Sequence, residues 1–177
     1  MYIAHCILMK SFKEKSIAYQ KAIAYQIQHK NQQMLDSYMQ TYIYIWNLFH
    51  VFAEKLKDEY FDSVKSAIID VVHFSCNNLS CSNCKTHANE YLKENDMNLI
   101  TNKEDLKIYL WKFHNNVNTR KGVAEYPYDS LTDRYSVMNL KDCFDKYATN
   151  FLNFKRDIEH INLMKKWFSI CHDYYFN

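Results

Sequence analysis

Glycine and proline are nearly absent from this chain, with one of each, Gly122 and Pro127, in 177 residues. Average usage at this length predicts about twelve glycines and nine prolines. Phosphate-cradling loops need residues with positive φ and no Cβ, so a P-loop and a glycine-rich dinucleotide fingerprint are both excluded. Sandwiches and barrels need a Gly- or Pro-marked turn roughly every 8–12 residues, and those turns are missing too. Long apolar runs are also lacking. No window approaches the roughly 18 uncharged apolar residues of a membrane span. Nor is there an excess of one charge: the net value of +2 is too balanced for a nucleic-acid footprint. The apolar stretch from Tyr2 to Met9 contains His5 and lacks a basic flank and a small-residue cleavage site, so no signal peptide and no secretion are expected.

What is present fits a mostly helical chain with a real core. Hydrophobic residues make up 48% and aromatics 16%, which argues against disorder. Helical spacing runs from Ser11 to about Leu56 through Ile17, Ile23, Ile27 and Leu35, with a possible break near Asn31 to Gln33. Asp62 is placed to cap a second helix through Val64, Ile68, Val71 and Val72, and Ser80 to cap a third that begins at Cys81. Thr101 to Glu104 reads as a capping box, opening a helix with Leu106, Tyr109, Leu110, Phe113 and Val117 on one face. Gly122 and Pro127 bracket its exit. Asp129-Ser130 can cap a short helix, and helical segments follow to Phe176. The expectation is an all-α chain of six or seven helices.

Three constellations carry chemistry. Cys81 and Cys84 form a C-x-x-C at a helix start, where unpaired amides and the dipole favour a thiolate. Two thiols at that spacing suit a reversible two-electron pair. The same spacing is also half of a zinc site, which Cys76 and His87 would complete, and it can be inert. His114 and Asn118 lie one turn apart beside the apolar stripe, although most helical histidines carry no ligand. Trp46 and His50 are also one turn apart, and aromatic stripes are usually core.

Taken in order, Trp46-x-x-x-His50, Cys81-x-x-Cys84 and His114-Asn115-Asn116-Val117-Asn118 resemble the Erv/ALR family of FAD-dependent sulfhydryl oxidases. The resemblance covers about residues 40–135. It implies a four-helix bundle plus a short fifth helix holding FAD, with helical extensions over 1–39 and 136–177. It implies that Cys84 lies against the flavin and Cys81 exchanges with substrate thiols, with no metal. Trp46 and His50 would pack on the cofactor, and His87 would lie near it. His114, Asn115 and Asn118 would hold its adenine and ribose side, Arg120 and Lys121 would offset the pyrophosphate charge, and Val117 and Tyr126 would also contact the cofactor. Electrons would pass from substrate dithiol to FAD and on to dioxygen, yielding hydrogen peroxide.

Some positions depart from the family pattern. Leu79 and Ser80 stand where an aromatic and a proline are common before the C-x-x-C, and Ile43 replaces an arginine three residues before Trp46. Lys121 substitutes for a lysine usually found slightly later. The chain has no second C-x-x-C. Cys6 is a candidate lone shuttle and Cys143–Cys171 a candidate structural bridge, against the simpler reading that each is buried and unreactive. Without its own shuttle the enzyme would take electrons directly from a partner protein, as compact members from large DNA viruses do. The resemblance also implies a homodimer; Tyr42 to Ile45 and Trp167-Phe168 would suit its interface or the packing of the extensions. The expected location is the cytoplasm of an infected cell or a virion if the source is viral, otherwise the mitochondrial intermembrane space. The alternatives are a zinc-stabilised helical interaction module using Cys76, Cys81, Cys84 and His87, and a family member that binds FAD without turning over.

Overall fold

Every regular element among the described residues is helical, as the composition requires. The computed structural model describes residues 2–154, 162–163, 165–167 and 169–170, without the side chains of 2–16, 18, 38 and 151–154. The helices are α1 (Tyr2–Lys55), α2 (Phe61–Asn77), α3 (Ser82–Glu94), α4 (Lys103–Arg120), α5 (Ser130–Tyr135) and α6 (Leu140–Phe154). Single 3-10 turns stand at Asp58–Tyr60 and Met97–Leu99. The Cys6 side chain, Phe168, Cys171 and Phe176 lie outside the described residues. None of the described helices is long and apolar enough to cross a membrane.

The chain divides into two units, Met1–Gln40 and Thr41–Asn177. In the first, every described side chain is exposed, including Ile17, Ile23, Ile27 and Leu35 of the apolar pattern. The expected break near Asn31 does not occur, because α1 runs through it. Asn and Gln lower helix propensity by only about half a kilocalorie per residue, and neither Pro nor Gly is there to stop the helix.

The second unit holds the core. Ile45, Leu48, Phe49, Phe52 and Leu56 follow one another at three- and four-residue steps on α1, and all are buried. Against them pack Val64, Ile68, Val71 and Val72 of α2, and Leu106, Leu110 and Phe113 of α4. Tyr147 of α6 is fully buried, and its hydroxyl is 2.7 Å from Ser75 Oγ, so its polar end is satisfied. Trp167 is buried as well: its ring sits 4.9 Å from that of Phe52 and its indole N–H donates to Ala67 O at 3.0 Å.

α1 begins at Tyr2, well before the expected Ser11, while the starts of α2, α3 and α4 lie within two residues of the sequence expectation, and the differences have causes. α2 starts at Phe61 because a 3-10 turn feeds directly into it, so Asp62 sits in its first turn rather than at the cap. α4 is capped by Asn102, whose Oδ1 accepts from the Asp105 N–H at 2.8 Å. Asp105 Oδ2 reaches back to the N–H and hydroxyl of Thr101 at 3.1 and 2.6 Å. The reciprocal cap is present, shifted one residue from Thr101–Glu104. At its other end α4 closes on a Schellman turn, with Gly122 N–H bonding Thr119 O at 3.1 Å and Val123 N–H bonding Asn118 O at 2.9 Å. Gly122 has φ of 66°, and nothing stands within 4 Å of where a Cβ would be. Glycine is needed there for its backbone, not for space.

Candidate functional site

Cys81 is itself the cap of α3, in place of the expected Ser80. Its backbone is extended, and its Sγ accepts the Cys84 N–H at 3.2 Å. The sulfur therefore takes the place of a capping oxygen and faces the positive end of the helix. Hydrogen bonds from the Cys84 thiol and backbone hold the Cys81 thiol below its ordinary range, with smaller help from the Asn83 backbone and Lys121. Cys84, one turn further in, is pushed up, first by burial and then by the neighbouring Cys81. The two thiols are thus unequal. Cys81 is exposed and is the thiol that gives up its proton more readily, while Cys84 is half-buried and holds its proton more tightly.

Behind Cys84 opens an apolar cavity of about 420 Å³. α1 supplies Tyr42, Ile45, Trp46 and Phe49 to its wall, α2 supplies Ser75 and Cys76, and Leu79 comes from the turn before α3. α4 adds Phe113, Val117 and Arg120, followed by Lys121. Cys84 and His87 reach it from α3. Burial raises the Cys76 thiol to about 12, so at neutral pH it is an apolar wall atom.

A second cavity of about 410 Å³ includes Trp46, Asn47, His114, Asn118, Tyr126, Arg134 and Tyr135 in its wall. Trp46 borders both. Its ring lies parallel to that of His114, 4° apart in plane and 4.0 Å between centroids. His114 Nδ1 is 3.0 Å from His50 Nε2, and His50 in turn stacks on Tyr135 at 4.7 Å. Four rings from α1, α4 and α5 form one stack. Burial lowers His50 to about 3 and His114 to about 4, with His114 and Arg134 adding to the effect on His50, and Arg134 and Lys121 to that on His114. Both imidazoles are neutral at physiological pH, so one N–H donates to the other ring nitrogen.

Asn115 is buried and committed to backbone. Its amide N–H donates to Tyr126 O at 3.0 Å, while its Oδ1 accepts from Tyr126 N–H at 2.9 Å and from the Asn118 amide at 3.1 Å. These bonds dock the segment after Gly122 against α4 and set one wall of the second cavity. Trp111 Nε1 donates to the same Tyr126 carbonyl at 2.7 Å. Glu90 draws His87 to 3.2 Å and Arg120 to 3.8 Å.

The residues singled out from sequence are therefore distributed around two cavities that share Trp46 as a wall. Cys84, Trp46, His87, Val117, Arg120 and Lys121 line the first, and Trp46, His114, Asn118 and Tyr126 the second. Cys81 stands at the surface beside the first, whereas His50 and Asn115 stand behind the second. Sequence reasoning missed Tyr42, Arg134 and Tyr135. Tyr42 had a signal, because it lies one turn before Trp46 on the same helix face. Arg134 and Tyr135 had none, since only the fold brings α5 against α1. Among the described residues no group of three or more His, Cys, Asp or Glu is placed to hold a metal ion, so Cys76, Cys81, Cys84 and His87 do not form the zinc site that their spacing allows.

A model of the Erv1/Alr family matches residues 43–136, more than half of the chain, and the chain belongs to that family. Among curated proteins it is similar to the FAD-linked sulfhydryl oxidases of African swine fever virus, from a warthog isolate of Namibia and a pig isolate of Kenya. Each is 33% identical over 75 residues, covering 42% of this chain and 62% of the viral protein. This chain thus spans somewhat under two thirds of those relatives' length. No solved structure matches it.

Proposed function

We propose that this chain is an FAD-dependent thiol oxidase that forms disulfide bonds in substrate proteins with Cys81 and Cys84 and passes the electrons to dioxygen, giving hydrogen peroxide. The observation that carries the reading is the pairing of an exposed, anion-favouring Cys81 with a Cys84 that borders a large apolar, aromatic cavity. Membership in the family and the printed activity of the viral relatives support it.

The residues fit FAD. A flat apolar ring system suits the first cavity, and a second aromatic group suits the stack of Trp46 and neutral His114. Lys121, Arg120 and Arg134 supply cations for a diphosphate, with Asn118 and Tyr126 as polar contacts on the other side. His50 would fix the orientation of His114, and Asn115 that of the Tyr126 segment. When bound, FAD supplies an acceptor for two electrons and a route from them to dioxygen.

Starting from the Cys81–Cys84 disulfide, a substrate thiolate attacks Cys81 Sγ, the one exposed to solvent. The Cys81–Cys84 bond breaks, a mixed disulfide forms, and Cys84 leaves as thiolate. The second substrate thiolate then attacks the substrate sulfur of the mixed disulfide, releasing an oxidised substrate and the Cys81 thiolate. Two electrons now reside on the pair, and Cys84 is the member that borders the cavity. The helix amides hold the anion at Cys81, which makes it a good leaving group in the second step.

The purified protein should be yellow, with a flavin spectrum, thiol-dependent oxygen uptake and stoichiometric peroxide. A colourless protein that cannot be reconstituted with FAD would overturn the reading. The viral origin of the relatives supports a location in the infected cell's cytoplasm or in virions, testable by fractionation. A homodimer is part of the proposal, and light scattering at the monomer mass would remove it.

A further inference from the structure

Tyr42 presents an unexplained polar atom beside the redox pair. Its hydroxyl is fully shielded from solvent and makes no hydrogen bond of acceptable geometry. A buried hydroxyl left unpaired is costly, so such an atom marks either strain or a partner present in another state of the protein. The polar groups close enough to act on it are Cys84 and Ser80, and Tyr42 and Cys84 border the same cavity. Lys121 holds its ammonium 4.9 Å above the Tyr42 ring.

Resting on the oxidase reading above, we infer that Tyr42 is a thiolate-stabilising residue: its hydroxyl donates a hydrogen bond to Cys84 Sγ when Cys81 is tied up in the mixed disulfide. The reasoning follows from what acts on Cys84. In the reduced pair the Cys81 anion competes for the Cys84 proton and opposes its ionisation. Once Cys81 is bonded to substrate sulfur, that opposing charge is gone. Burial still disfavours the Cys84 anion, while Tyr42 and Lys121 favour it. Of the other titratable groups on the cavity wall, His87 and Arg120 are engaged by Glu90, and Cys76 is held protonated by burial. The leaving thiolate of the first exchange step therefore meets one neutral donor and one cation, from α1 and from the end of α4. Tyr42 keeps its own proton, since burial and Cys84 push the phenol well above its ordinary range.

The test uses the Cys81→Ser chain, which leaves Cys84 as the remaining thiol of the pair. Its alkylation by iodoacetamide, followed across pH by mass spectrometry of the Cys84 peptide, reports the thiolate. Adding Tyr42→Phe should raise the midpoint by about one pH unit and slow alkylation at pH 7 roughly tenfold. The thermal midpoint should stay level or rise, because an unpaired buried oxygen is removed. Lys121→Met should raise the alkylation midpoint by less, its charge being partly screened. An unchanged midpoint in Tyr42→Phe overturns the assignment, as does loss of helical circular dichroism, which would make the hydroxyl a structural group. The two proposals fail separately. A yellow, active wild type with an unshifted midpoint removes only the Tyr42 role, whereas a colourless wild type whose midpoint depends on Tyr42 removes only the oxidase.

Discussion

The two cavities that meet at Trp46 treat their ionisable groups in opposite ways. At the cysteine end, exposed Cys81 is lowered chiefly by hydrogen bonds from Cys84, whereas half-buried Cys84 is raised first by burial, with Cys81 opposing its ionisation and Tyr42 and Lys121 favouring it. At the histidine end, His50 is buried and His114 half-buried, and burial is the largest cause that keeps both rings neutral. One end favours an anion on Cys81, and the other disfavours charge on both rings. The difference shows that exposure leaves Cys81 to its hydrogen bonds, while burial is the first control on Cys84 and on both histidines.

The sharpest way to break the contrast is to disable one end alone. Cys84→Ser should lower thiol oxidation by on the order of a thousandfold or more while leaving the flavin spectrum in place, because the electron path goes and the ring stack stays. Steady-state oxygen uptake beside an absorption scan checks both halves, and retained turnover would refute the role of Cys84. Trp46→Ala attacks the shared wall instead. It removes the face against His114 and the edge contacts to Phe49 and Phe113, and should cost about 3 kcal/mol in a urea melt together with loss of bound FAD.

Acid probes the histidine end by itself. The unfolded rings take up protons near pH 6.5, the folded ones only near 3 and 4. The unfolded chain binds more protons between those values, so this contribution to stability is fully present above about pH 6.5 and is lost as pH falls. Going from pH 7 to pH 5 should cost about 2 kcal/mol per ring. Denaturant melts at both pH values would show it, and the sensitivity should halve in His50→Gln. Equal stability at the two pH values would mean the rings are not held neutral. The smallest effect concerns the joint itself. Gly122 lies between Lys121, on the wall of the first cavity, and Val123, on the wall of the second. Gly122→Ala should destabilise by about 1 kcal/mol through its positive φ, with no steric part, and thermal melts suffice to check it.

The motif order singled out Trp46, Cys84, His114, Val117 and Asn118, and the fold puts each on the wall of one of the two cavities, as it does Lys121, the substitute for a lysine the motif lacks. The starts of α2, α3 and α4 were legible to within two residues, because caps are local chemistry: Asn102 and Asp105 repeat the pattern expected one position earlier. Other features could not be read. Asn115 stands in the motif beside His114, yet its amide is spent on the backbone of Tyr126, eleven residues on. The apolar stripe of Ile17, Ile23 and Ile27 has the spacing of a core face but lies exposed. Periodicity states which side of a helix is apolar and says nothing about whether anything covers it.

By itself the sequence determined an all-helical chain, the capping chemistry near the starts of α2, α3 and α4, and the residue types that stand one turn apart on each. Those are consequences of spacing, capping and the near absence of glycine and proline, and they act within about four residues. The tertiary structure alone decided that Cys81 would be the exposed sulfur and Cys84 the half-buried one, that two histidines 64 positions apart would share a proton, and that Tyr42 would bring an unpaired hydroxyl to the cavity beside Cys84. Ionisation depends on burial and on charges a few ångströms away, and those neighbours arrive from distant parts of the chain only when the helices pack.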